Sequence, residues 1–355
     1  MSKQVIILAG LLGVGMVASY MSWTSEDPTA DTEGVVVIDA KPEQIESIAW
    51  TSETMDVELS RRSDAVGDYI WVKTIERIEK EIPAEVTVSP LDPDAPAPAD
   101  GEEPAEPSEP EMRIETETVH RDFKAGDTAQ ELIESFAPLM ASRRLEVAPD
   151  KYVDFGLDTP QATLVITRSG KEPRELSIGG EAYGTRDRYA LDADKNNVVL
   201  LDSDLLRPLK FAISRLPDRD LLTVETPKLT KVTVSSPNRE PVNLDQLNAA
   251  DPQKATWAYL GETEGDESAA AWMNKALSLK AKAYVQAEEM PTSTTTELTL
   301  VYMAEDGSQH QVEVIQGTDA QGETQWYGRS TNTRELVTLH AAQASELVAD
   351  LDALP

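Results

Sequence analysis

The chain has 355 residues, no cysteine, three histidines and a formal net charge of −32. The length allows two domains of ordinary size. Without thiols there are no disulfides, no thiolate catalysis and no cysteine-ligated zinc. So acidic a surface repels nucleic acid and anionic lipid headgroups, so no nucleic-acid partner is expected.

The N-terminus reads MSKQVIILAGLLGVGMVASYMSW, and no charge falls between Val5 and Trp23. As a helix this run spans ~28 Å, close to the ~30 Å hydrocarbon core of a bilayer. Lys3 precedes the run, and Glu26, Asp27, Asp31 and Glu33 follow it. That asymmetry predicts a cytoplasmic N-terminus with the bulk of the chain outside. Residues 1–24 therefore read as a transmembrane signal anchor, or as a cleaved signal segment with Val17-Ala18-Ser19 at the cut. Ala9 and Gly13 form one small-xxx-small pair, a weak hint of a partner helix.

Strand-like runs come next: GVVVIDAKPEQIESIAW, MDVELSRR and DYIWVKT. In the last, Tyr69, Trp71 and Lys73 share one face and Ile70 and Val72 the other. The block from Glu81 to Thr118 carries eight prolines and a dozen acidic residues against Arg113 alone. Proline removes donors and like charges repel, so a disordered acidic insertion is predicted at about residues 83–112.

GDTAQELIESFAPLMASRRLEVA predicts a helix, with Asp127 as N-cap and Gln130 completing a capping box. Leu132, Ile133, Phe136, Leu139 and Met140 fall on its apolar face. Phe155 and Leu157 anchor a corner at which Gly156 permits positive φ. Two strands around a Ser-Gly turn follow, then a hairpin turned at Lys195-Asn196-Asn197. Leu205, Leu209, Ile213 and Leu216 mark another helix, with Pro208 in its first turn or at a kink.

The second half repeats the plan. LTKVTV answers IESIAW, and TWAYL around Trp257 answers YIWV around Trp71. The helix opening at Gly265-Asp266, with Trp272, Met273, Ala276 and Leu277 on one face, answers the one at Gly126-Asp127. TLVYMAEDG answers TLVITRSG, and VTLH answers VVLL. A last helix carries Leu347, Val348, Leu351 and Leu354. Shared order, rather than identity, predicts an α+β chain of two tandem duplicated units. Each has antiparallel sheets with helices packed on one face. The first unit covers 35–222 with its insertion, and the second 228–355.

Phe155-Gly156-Leu157-Asp158-Thr159-Pro160, Ile178-Gly179, the Tyr189 strand, Val198 to Leu201 and LPDRDLL from Leu216 resemble a known family, domain of unknown function 4340. The resemblance is best over Asp127–Leu222 and looser beyond. It implies a bacterial inner-membrane protein with one N-terminal anchor and a periplasmic body, of a kind often encoded beside gliding-type ABC transporter components. The family has no established catalytic residues, so it supplies none here. The Pro/Glu insertion departs from its pattern.

No catalytic, cofactor or metal constellation emerges. DADKNNVVLLDSD from Asp192 superficially suggests calcium, but Asn197 and Ser203 stand where an EF-hand needs Gly and Glu. His120, His310 and His340 are too far apart for a local metal motif, and no nucleophile elbow, P-loop or dinucleotide fingerprint occurs outside the apolar run. Trp50, Trp71, Trp257, Trp272 and Trp326 read as core, with a glycan or peptide platform as the functional alternative. The reading is a non-enzymatic, membrane-anchored accessory subunit that binds a protein partner, an ABC-type transporter or envelope complex. The alternatives are an envelope module for glycan or peptide and, behind it, a hydrolase built from scattered carboxylates.

Overall fold

The structure, a computed structural model, describes residues 34–83, 112–192, 194, 196–237, 239–251 and 253–354. The apolar N-terminal run and residues 84–111 of the acidic block lie outside the described residues. Among the described residues no helix is long and apolar enough to cross a membrane.

Strands β1 (Val35–Ile38), β2 (Ile45–Ser52), β3 (Met55–Ser63), β4 (Asp68–Pro83) and β5 (Met112–Lys124) precede helix α1 (Asp127–Ser135). Then come β6 (Leu139–Ala141), β7 (Arg143–Leu145), β8 (Ala162–Arg168), β9 (Arg174–Glu181), β10 (Arg188–Asp192) and β11 (Asn197–Leu201). Helices α2 (Ser203–Lys210) and α3 (Ala212–Arg215) follow. The later half holds β12 (Leu229–Ser236), β13 (Arg239–Leu247), β14 (Thr256–Tyr259), helix α4 (Glu267–Ser278) and β15 (Ala281–Tyr284). It ends with β16 (Ser293–Ala304), β17 (Gln309–Thr318), β18 (Thr324–Ser330), β19 (Val337–Leu339) and helix α5 (Ala341–Ala349).

These strands build a nine-stranded sheet of order β5-β4-β3-β2-β8-β9-β10-β11-β7 and an eight-stranded one of order β14-β13-β12-β16-β17-β18-β19-β15. A small pair, β1-β6, completes the set. The ladders are antiparallel, so the molecule is β-rich α+β with few helices. In β8 the buried side chains alternate, Ala162, Leu164 and Ile166 inward and Thr163, Val165 and Thr167 half-exposed. That period of two gives the strand one core face. Leu132 and Ile133 of α1, Leu206 and Leu209 of α2, and Trp272 and Met273 of α4 bury into the same core as Ile48, Leu59, Leu300 and Val314.

The predicted corner and turns are present. Gly156 closes a 3-10 turn at φ 64°, with Leu157 buried behind it. A Cβ on Gly179 would stand 2.4 Å from the Phe155 carbonyl oxygen, so only glycine lets β9 approach this corner. Gly170 lies between β8 and β9 at φ 66°, and Asn196 turns the β10–β11 hairpin at φ 50°.

Three expectations are corrected. Helix α1 stops at Ser135, and Leu139 and Met140 belong to β6 instead. Pro138 bars the helical conformation to the residue before it, so the apolar period runs on past the true stop. Gly126, not Asp127, is the N-cap, and no side chain caps there. Of the two settings predicted for Pro208 the first turn is ruled out: it sits further inside α2, and the helix is interrupted at Phe211 before α3. The insertion predicted at about residues 83–112 falls on residues outside those described, and Pro83 and Met112 on either side of it pair as the end of the β4–β5 ladder. Strand β5 was hidden by its charge.

That ladder outruns its neighbour. Strand β3 accompanies β4 only from Asp68 to Glu76, whereas β5 continues to Pro83. Beyond Glu76 the two strands form a ribbon that leaves the sheet. Ile78 and Ile114 on it are 37% and 62% exposed.

Candidate functional site at the junction of the two sheets

Edge strand β5 of the larger sheet meets the segment after β15 of the smaller one. The contact is made by polar groups. The Asp122 backbone N–H donates to Gln286 Oε1 at 2.8 Å, and Gln286 Nε2 donates back to the Asp122 carbonyl at 3.2 Å. The same Nε2 donates to the Tyr284 carbonyl at 3.0 Å. A side-chain amide here stands in for a neighbouring strand, satisfying backbone groups that an edge leaves open.

One residue pair along, Lys124 Nζ donates to Asp218 Oδ2 at 2.6 Å and to Asn332 Oδ1 at 2.9 Å. Asn332 Nδ2 donates in turn to Asp218 Oδ2 and to the Asp220 carbonyl, at 2.9 and 2.6 Å. Lys124 is buried, and a buried charge must be paired and hydrogen-bonded as this one is. At the rim, Arg334 Nε donates to Asp64 Oδ2 at 2.6 Å and its guanidinium lies 4.4 Å from the Tyr69 ring centre. The Arg334 bond holds the Asp64 carboxyl below its ordinary value.

Aromatic rings fill the space between. Trp71 meets Tyr69 and Tyr284 edge to face at 6.3 and 6.5 Å, and Phe123 lies 6.2 Å from Tyr284. Tyr284 donates its hydroxyl to the Asp218 carbonyl at 3.0 Å. Burial, with the Asp218 charge behind it, pushes the Tyr284 phenol far up, so it stays neutral.

Two clefts flank this junction, and Gln286 lines both. Alternate β5 residues face opposite sides, as strand geometry requires. His120 and Asp122 border a cleft of about 890 Å³ over the outer sheet face, with Glu58, Glu288, Glu335 and Lys73 also on its walls. Arg121 and Phe123 border a cleft of about 420 Å³ on the other side, closed by Tyr284, Pro217, Arg219 and Lys282. The first is mainly acidic, as the composition leads one to expect. The second is mainly basic, against the composition.

The residues singled out in sequence disperse. His120 is in β5, His310 in β17 and His340 caps α5. The Ser308 hydroxyl and His310 Nε2 stand 3.0 Å apart. Among the described residues no group of three or more His, Asp or Glu side chains could hold a metal. Asp192 ends β10 in the hairpin, where Arg174 holds it at 2.5 Å and Asp194 at 2.8 Å. Trp50, Trp71, Trp257 and Trp272 are at most 7% exposed and Trp326 is half-buried, so they offer no stacking platform. Trp71 and Trp257 also differ in setting: Trp257 joins the main core, and Trp71 packs in the junction. Gln286, Lys124, Arg121 and Arg219 carried no signal in sequence. Their partners are far along the chain, and a polar residue on a strand reads as solvent-facing.

A polar clamp between sheet edges, an open β-ribbon and two oppositely charged clefts define a β-rich α+β protein organised about one junction. More particularly, the chain belongs to the family described as domain of unknown function (DUF4340), whose model matches residues 120–297. The matched stretch begins in β5, ends in β16 and contains every residue of the basic cleft but Glu76. No curated protein and no solved structure matches the chain.

Proposed function

We propose that this is a non-enzymatic accessory subunit, held at the bacterial inner membrane by residues 1–24, whose periplasmic body docks a protein partner. The partner is an ABC-type transporter or another envelope complex. The observation that carries the reading is strand β5. Among the described residues it ends its sheet without a neighbouring strand on its outer side, and it projects with β4 past the rest of that sheet. Gln286 occupies the edge at Asp122. From Met112 to Arg121 no other described strand pairs with this edge, which suits an added strand from a peptide partner. Ile114, exposed on the ribbon, supplies an apolar contact on one of its faces.

Two further points support the reading. The apolar, charge-free run at the N-terminus suits a membrane anchor. The two large sheets also support a tandem duplication. Strands β4-β3-β2-β8-β9-β10-β11-β7 of the first run in the same order as β14-β13-β12-β16-β17-β18-β19-β15 of the second. In each, the helix falls between corresponding strands, α1 after β4 and β5, and α4 after β14. On this reading β5 is an addition to the first unit, which is why that unit has a free arm.

The test is gentle extraction of the tagged full-length protein from native membranes, with mass spectrometry of what stays bound. Stoichiometric recovery of transporter or envelope subunits, lost on Ile114→Lys in the ribbon, supports the reading. Recovery of the protein alone overturns it. A second reading, an envelope ligand-binding module, is favoured by the clefts themselves.

A further inference from the structure

We propose that the smaller cleft is a binding site for a dianionic ligand with an apolar or aromatic body, a phosphomonoester or a dicarboxylate. The argument starts from charge. The chain carries 64 acidic residues against 32 lysines and arginines. A cleft drawn at random from such a surface is acidic, as the larger one is. This cleft holds Arg121, Arg219 and Lys282 against Glu76 alone.

None of the three cations is spent on the fold. Among the described residues Arg121, Arg219 and Lys282 make no ion pair and no side-chain hydrogen bond. The structural cations behave otherwise: Lys124, Arg174 and Arg334 are each held by a carboxylate. Like charges gathered without a counter-charge repel, and nothing in the packing requires them there. An anion resolves that repulsion. Guanidinium groups fit carboxylate and phosphate oxygens in a fork, and the lysine adds a point charge. Three cations less one carboxylate leave about two positive charges for a ligand of two negative ones.

The apolar requirement comes from the floor. Ile213 and Pro217, half-buried, and Ala283, exposed, offer apolar surface in the cleft, packed over the buried rings of Phe123 and Tyr284. The Tyr284 hydroxyl is committed to the Asp218 carbonyl and Gln286 Nε2 to two backbone carbonyls, so the wall between the cations is fixed. A cleft of about 420 Å³ falls within the range of small-ligand sites, and it lies where two sheet edges meet. The residues come from β5, the connection after α3, and β15. The site therefore exists only when both sheets are in place. It borders the open edge of β5 at Arg121, but its test reads a small ligand and does not require the docking proposed there.

The experiment is calorimetric titration of the full chain in zwitterionic nanodiscs with three probes: phenyl phosphate, phenylsuccinate and inorganic phosphate. One of the two aromatic dianions should bind once per chain, and which one identifies the headgroup. Inorganic phosphate should bind at least tenfold more weakly, lacking the body that covers Ile213, Pro217 and Ala283. Arg121→Gln with Arg219→Gln should weaken the aromatic probe by about tenfold or more. Lys275→Gln, a surface cation away from the cleft, should leave it unchanged. Failure of both aromatic dianions to bind overturns the proposal. So does binding that survives the double substitution in a protein whose melting temperature is unaltered, or inorganic phosphate binding as tightly as the aromatic probes.

Discussion

Gln286 pairs with Asp122 through both its amide groups, at 2.8 and 3.2 Å, across 164 residues of chain. The pair ties the edge of one sheet to the segment that follows the edge strand of the other. Replacing Gln286 with leucine keeps the volume and removes the partner of a backbone donor and of two carbonyls. We expect a loss of about 1–3 kcal/mol. Hydrogen exchange supplies the sharper reading, since the Asp122 amide should lose protection while amides in the centre of β8 keep theirs. Equal protection of Asp122 in both proteins would contradict the clamp.

Lys124, Asp218 and Asn332 form the second tie. Lys124→Met leaves Asp218 nearly buried without its ammonium, for about 3 kcal/mol or more. Asp218→Asn in addition removes the stranded charge. The double variant should therefore be less unstable than the two single losses summed, by at least about 1 kcal/mol in a urea double-mutant cycle. Strict additivity would mean the pair is not coupled.

Asp64 and Arg334 form the third tie, and it depends on pH. The folded-state pKa of Asp64 is depressed by Arg334. A depressed carboxyl stabilises the fold above its unfolded value, about pH 4, and that contribution goes as pH falls through the lower folded value. The difference in melting temperature between wild type and Asp64→Asn should thus be present at neutral pH and close as pH falls below about 4 through the depressed folded value. A difference that ignores pH would show that the bond does not hold in solution.

Two buried tryptophans should respond differently to phenylalanine. Trp272 donates its indole N–H to the Leu347 carbonyl at 3.0 Å, whereas Trp71 Nε1 has no hydrogen-bond partner. Both lose ring volume on substitution, but only Trp272→Phe strands a buried carbonyl. It should cost about 1–2 kcal/mol more than Trp71→Phe by chemical denaturation. Equal losses would place the two indoles in equivalent settings.

Much of the fold could be read from pattern. The alternation in β8 and the turns at Gly156, Gly170 and Asn196 follow from local chemistry and stand where sequence puts them. Strand β5 could not be read so. Glu115, Glu117 and their neighbours are exposed on an edge, so no apolar face marks the strand. The sequence pattern overextends helix α1 because β6, a strand with alternating burial, continues a helical apolar period. The junction was illegible for a different reason. Arg121, Arg219 and Lys282 are ordinary surface residues one at a time, and only the meeting of two edges makes them one cleft.

The most direct test of the docking claim is site-specific photo-cross-linking in native membranes. One photoreactive residue is placed at Ile114 on the ribbon, and another at Tyr183, an exposed side chain in the turn between β9 and β10. The account predicts a discrete adduct with a transporter or envelope subunit from position 114 and none from 183. No adduct at 114, or the same adduct from both positions, would contradict it.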